Sequence, residues 1–488
     1  MQQCELASTE GTLHMNRNRR LHQAIAFLLL SVSTAILAGC PSPVATPEQY
    51  SLIILDDRVG VAKGISTWCE VVGYVEDSSV NNRAFLWDPE QSPSMIDLGT
   101  LGGYASEANA INAKHEVVGQ SYLPLSDQGD IMRAFYWNAT DGMKDIGTLG
   151  GRDSYASAID LSSRVVGMAA NAGGHFRQPF IWNPADGMAV IPGTEVGSTV
   201  QAINDAGVVA GGVFATDTDT FEAWRAEGWN TDGSFFQIPN LLGGVGALAY
   251  GINTGGKVVG NATHNTGTSP YYVGFIWDSA TGMKSIGDLG WCHSYTLMCS
   301  SAVAINNSDQ VVGKAALQNL TTHAILWQKG KLMDLNTALP TALNWLYMSE
   351  ANAINNTGCI AGAGFRIDNL GNALKVPVLL LPVVIKTLTI HPISVFGGTS
   401  ATGTITLSGK APMSMNILLS PIGLAQAVSI PQSVILPRGQ RQVTFNIDTN
   451  VVDATQQGQI RASFGGWDLF APLTVKWNPG SVIGTQGN

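Results

Sequence analysis

Two glutamates, Glu107 and Glu350, occupy the second position of one heptapeptide, SEANAIN, written at 106–112 and again at 349–355. A pair of carboxylates can act as acid and base, or as acid and nucleophile, on a glycosidic bond. Asp217 and Asp219 in ATDTDTF offer oxygens to calcium, but nothing nearby completes the usual shell. Cys292 and Cys299 share the segment WCHSYTLMCS. They read as a disulfide, because a metal site built with His293 would need a fourth ligand that the sequence does not supply. Loops that vary between otherwise similar units collect His175, His264, Tyr271, Tyr272, Trp291 and Tyr295. With Glu107 and Glu350 they define a candidate ligand face, whose rings could stack on a sugar while polar groups bond its hydroxyls. No HExxH, phosphate-cradling GxxxxGK[ST] or GxSxG motif is present, so a binding role is favoured over catalysis. No metal or cofactor is expected.

The elements that hold these residues are repeats. Seven copies of one unit end their first segment at Ser66, Asn112, Asp160, Asn204, Asn253, Asn306 and Asn355. In each copy a glycine follows seven positions later, at 73, 119, 167, 211, 260, 313 and 362. Six copies then carry a strand ending in tryptophan, at 87, 137, 182, 229, 277 and 327. A turn and a segment such as MKDIGTLGG complete the unit. Four short strands per copy predict an all-β fold, a seven-bladed β-propeller over 50–383. The last copy lacks a fourth strand, and YSLIILDDRVG (50–60) matches it, so the N-terminal strand is expected to close the last blade. The recurring Asn reads as a turn former, and the recurring Trp as packing between sheets. Cys69 and Cys359 occupy equivalent turns of the first and last copies. A disulfide between them would reinforce the closure, and two free thiols are the alternative.

These motifs, AIN…VVG…RAFLW…GMxDLGTLGG, resemble the bacterial extracellular HAF repeats, though only HAILW (323–327) keeps the histidine. The resemblance implies a secreted repeat protein and assigns no activity. At the N-terminus, MNRNRR, an apolar run and LAGC (37–40) resemble a lipoprotein signal, with Met15 an alternative start. Residues 1–39 would be removed and Cys40 lipidated, with 40–49 as a short tether. Two or more acyl chains hold a protein stably at a membrane. Pro41 after the cysteine favours the outer membrane, facing periplasm or cell surface.

Only 13% of residues are charged and the net charge is −10, which argues against a nucleic-acid partner. From about 384 the texture changes to alternating strands between Gly, Pro and Asn turns, which predicts an Ig-like β-sandwich over 384–488. The expected protein is a lipid-anchored surface module that binds a glycan or an envelope protein. A carbohydrate-active enzyme on the variable face is the alternative.

Overall fold

The computed structural model describes residues 49–478, apart from 91–94, 128, 174–176, 196, 216–222, 242–243, 265–270, 291, 293–297, 320 and 342–343. The signal segment, Cys40, the tether before residue 49, and Asp217 and Asp219 therefore lie outside the described residues. Among those described there is no α-helix, only one 3-10 turn at Leu335–Ala338.

Valine-rich strands separated by Asp-Gly and Asn-x-x-Gly turns pair locally, because short turns reward antiparallel neighbours. The first sheet takes Gly60–Ile65, Val71–Glu76, Asn82–Trp87 and Ile96–Asp97 in chain order. Five sheets of the same order follow, spanning 106–145, 150–190, 198–237, 247–285 and 300–334. The seventh pairs Trp345–Ile354, Ile360–Ile367 and Ala373–Leu381, with Ser51–Ile54 antiparallel along its outer edge. Two further sheets, of four and five strands, lie beyond residue 384 and bury alternate residues in one shared core.

The structure corrects the expected fold, a closed seven-bladed β-propeller followed by a sandwich. Among the described residues the chain is a set of separate sheets, seven of the repeats' own being four-stranded and antiparallel, and no ladder of backbone pairing closes these into one seven-bladed body. The reason lies in what a repeat encodes. Each copy specifies pairing within itself, while the joins between copies rest on side chains that the copies do not all share.

Those joins explain the heptapeptide. Ser106 Oγ donates to Gly99 O (2.7 Å) and accepts from Ala84 N (3.0 Å), tying its strand to the preceding sheet. Ala108 is fully buried. Asn109 Nδ2 reaches across to Ala156 O (2.8 Å), and in the second copy Asn352 Nδ2 reaches Ala62 O (3.0 Å). That position holds the extra residue of a β-bulge that recurs in all seven first strands. The bulge aims a carbonyl at the second strand, where a Cβ on Gly119 or Gly362 would lie within 3.0 Å of Glu107 O or Glu350 O. Only glycine fits that approach, which accounts for the fixed seven-residue spacing.

The final asparagine has two roles. Its Oδ1 caps its own turn, as Asn306 Oδ1 does by accepting from Ser308 N and Gln310 N, each at 3.0 Å. Its amide then donates to the equivalent carbonyl of the following copy. The bonds are Asn112 to Asp160 (3.0 Å), Asn204 to Asn253 (3.0 Å), Asn253 to Asn306 (3.1 Å), Asn306 to Asn355 (3.0 Å) and Asn355 to Ser66 (2.9 Å). Where the asparagine is absent, other groups fill the gap. Ser66 leaves the task to Glu70 with His115 and to Trp68 Nε1 on Ala113 O (3.3 Å). Asp160 binds Arg164 Nε (2.6 Å), and Arg164 reaches Asp205 O (3.3 Å).

A prediction follows for Asn306, which is buried. Asn306→Asp keeps the turn acceptor but sets a carboxylate against Asn355 O, and should cost about 2–3 kcal/mol in urea unfolding. Adding Gln310→Arg recreates the Asp160–Arg164 arrangement and should recover part of the loss. Equal stability of Asn306→Asp and the parent would rule out the inter-sheet bond as a contributor.

Candidate functional site

The Glu107 strand, Ser106–Ile111, stands beside the second strand of its sheet, so Gln120 flanks Glu107 in register. Three donors converge on the carboxylate. Asn82 Nδ2 reaches Oε1 at 2.6 Å, Gln120 Nε2 reaches Oε2 at 3.3 Å, and Lys63 Nζ from the first sheet forms an ion pair with Oε2. Around it lies a hollow of about 240 Å³ lined by Asn81, Asn82, Tyr104, Ser106, Gln120 and Tyr122. Tyr104 and Tyr122 stack at 4.6 Å between centroids, 19° from parallel. Tyr104 is 45% exposed, and its hydroxyl donates to Asp130 Oδ2 (3.2 Å). Burial and hydrogen bonding with Tyr122 and Asp130 push its phenol up to about 12, so it remains a neutral donor. Val80, on the rim, holds φ at 63°, a strained conformation for a β-branched residue.

The other predicted residues do not gather there. Glu350 belongs to the seventh sheet and pairs with Lys375 (2.9 Å) and Lys314 (3.6 Å). Burial raises its carboxyl, but the two lysines and Asn352 hold the net value below the ordinary glutamate range. Tyr74 of the first sheet feels both carboxylates, and its phenol is raised chiefly by burial, then by Glu107 and Glu350. Each glutamate is thus neutralised by its own lysine partners. His264 stacks on Tyr271 (5.3 Å) in the fifth sheet, while the adjacent strand residue Tyr272 is exposed. Cys299 N donates to Tyr272 O (2.8 Å), which ties Cys299 to this strand. His175, Trp291 and Tyr295 lie outside the described residues.

The cysteines are bonded as Cys292–Cys299 and Cys69–Cys359. Among the described residues no group of three His, Cys, Asp or Glu side chains could hold a metal ion. The bonded pairs mark an extracellular or envelope protein, since disulfides persist in oxidising compartments. The recurring tryptophans lie inside the sheets: Trp87, Trp137, Trp229 and Trp277 are buried, and Trp182 and Trp327 pack against neighbouring cores.

Sequence reasoning missed Lys63, Asn82, Tyr104, Gln120 and Tyr122. Tyr104 stands two residues before the heptapeptide in YASEANAIN, and Tyr122 follows the glycine-bearing strand in VVGQSY. Their meeting depends on the pairing of the two strands, which places Tyr122 N on Ala105 O (3.0 Å).

No family model matches the chain, and no curated protein matches it. Among solved structures, S-layer protein SbsC domains 4 and 5 align over 47% of this chain and 93% of that one, at 14% identity and TM-score 0.16. A structure described as a glycoside hydrolase aligns over 71% and 94%, at 8% identity and TM-score 0.23. A Dscam isoform structure covers 88% of this chain and 100% of its own, at 9% identity and TM-score 0.16. Likeness at this level carries no argument about fold or function.

Proposed function

We propose that this chain is an exported, non-enzymatic binding module of the cell envelope, and that its ligand is a glycan held at the Glu107 hollow. The observation that carries the reading is the convergence of an exposed tyrosine face with the Glu107 carboxyl group and the amides of Asn82 and Gln120. A sugar ring offers a C–H face for Tyr104 and hydroxyls for a carboxylate that only accepts and amides that do both. Glu107 and Glu350 fit this role better than acid–base work. A general acid needs a raised carboxyl, whereas Glu350 is held low and Glu107 is paired with Lys63.

The HAF-repeat resemblance and the lipobox at Cys40 support an outer-membrane lipoprotein, with the sheets displayed to periplasm or cell surface. An envelope protein is the second ligand class, favoured only if no sugar is bound.

The test uses residues 48–488, which pack as one unit. Tyr104→Ala and Glu107→Gln should each weaken binding to a glycan identified on an array by tenfold or more, measured by calorimetry. Unchanged affinity in both variants, with unchanged melting, would remove the hollow as the site.

A further inference from the structure

We infer that the bound glycan is an oligosaccharide, extending from the Glu107 hollow past the Lys63–Glu107 pair into a second, larger cavity. The inference rests on the sugar-binding reading and adds ligand length and a second subsite. The larger cavity measures about 570 Å³ and is lined by the first strands of all seven four-stranded sheets. The two spaces adjoin: Gln120 borders both, and Lys63 lines the larger one while its Nζ bonds Glu107 beside the smaller. Pockets for small ligands run to roughly 300–1,000 Å³. The hollow alone, about 240 Å³, is short of that range, and the cavity falls within it.

The lining points to a polar ligand with apolar faces. Each copy places one residue on the cavity at its bulge, and this position varies between copies far more than its neighbours do. The next position is always Ala or Gly, and the one after it is always Ile. Asn109, Ser157 and Asn352 use this position to bond carbonyls of the adjacent sheet, at Ala156, Val200 and Ala62. Gln201 and Tyr250 have no hydrogen-bond partner there among the described residues, and both line the cavity. Tyr155 lines it as well, its ring engaged by Arg177 at 5.4 Å. A carboxamide and two tyrosines facing one space repeat the chemistry of the outer hollow. Set among the Ile, Ala and Gly residues that line the rest of the cavity, they offer a second sugar unit polar partners and ring faces.

The experiment takes the tightest array glycan and its own fragments of one, two and four units, titrated calorimetrically into residues 48–488. The expected result is an affinity that rises at least tenfold from one unit to four. Gln201→Ala with Tyr250→Phe should collapse that ratio by a similar factor, while Tyr104→Ala weakens every length. Melting curves confirm that the variants fold, and Tyr250→Phe alone serves if the double variant does not. Equal affinity for all lengths, or a length ratio untouched by the cavity variants, would overturn the oligosaccharide inference and leave the hollow as a monosaccharide site. Absence of binding to any glycan would overturn the sugar reading itself.

Discussion

Replacing Cys69 and Cys359 by serine should lower the unfolding free energy by about 5 kcal/mol, the largest single effect expected in this chain. The bond joins turns 290 residues apart, and loop-closure entropy grows with the length of chain enclosed. Both sulfurs are fully buried, and the pair lies in the core shared by the first and seventh sheets and the C-terminal sheets. The surroundings remain bonded without it, because Asn355 Nδ2 still reaches Ser66 O at 2.9 Å. The double serine variant should therefore fold, with a lower urea midpoint and a somewhat steeper slope, because the uncrosslinked unfolded chain exposes more surface. Removing Cys292–Cys299, which encloses a separation of only seven, should cost less. If the two losses were equal, the long bridge would not act through chain entropy.

The second large effect is expected at Gly119. Gly119→Ala should cost about 3 kcal/mol, because the added carbon meets Glu107 O and the Phe135 ring with no room to yield. The backbone carbonyl belongs to a bulge stapled to the next sheet by Asn109, so relief would break that bond too. Gly142→Ala is the control. There φ is 72° and nothing lies within 4 Å of the new carbon, so only the conformational cost applies, roughly 1 kcal/mol. Thermal unfolding of both variants checks the pair, and a Gly119→Ala loss no larger than that of Gly142→Ala would show that the close approach is not limiting.

Much of this was legible in the sequence because it is local. Each copy spells its own strands, and the fixed interval from Asn112 to Gly119 records a bulge and a turn that admit no insertion. The equivalence of Cys69 and Cys359 placed both in matching turns, and the structure bonds them. The asparagine was legible only by half. Its turn-forming oxygen follows from the Asn-x-x-Gly type of turn, whereas its amide bond to the next copy depends on how sheets are placed side by side. The same blindness explains the corrected architecture: pairing within a copy is encoded there, and joining between copies is not.

The candidate site was least legible. Glu107 was singled out for its partner in the repeated heptapeptide, Glu350, yet the structure gives the two separate lysine partners. What surrounds Glu107 comes from three strands of two sheets and the turns beside them. Lys63, Asn82, Tyr104 and Tyr122 carry no motif, and the aromatics that stood out by position, Tyr271 and Tyr272, belong to the fifth sheet.

The most direct test of the central claim is a broad glycan array probed with residues 48–488 beside their Tyr104→Ala variant. Binding confined to a related set of glycans, and lost in the variant, is the result predicted here. A blank array for the parent, with the protein folded, would contradict it and turn the search to protein partners in the envelope.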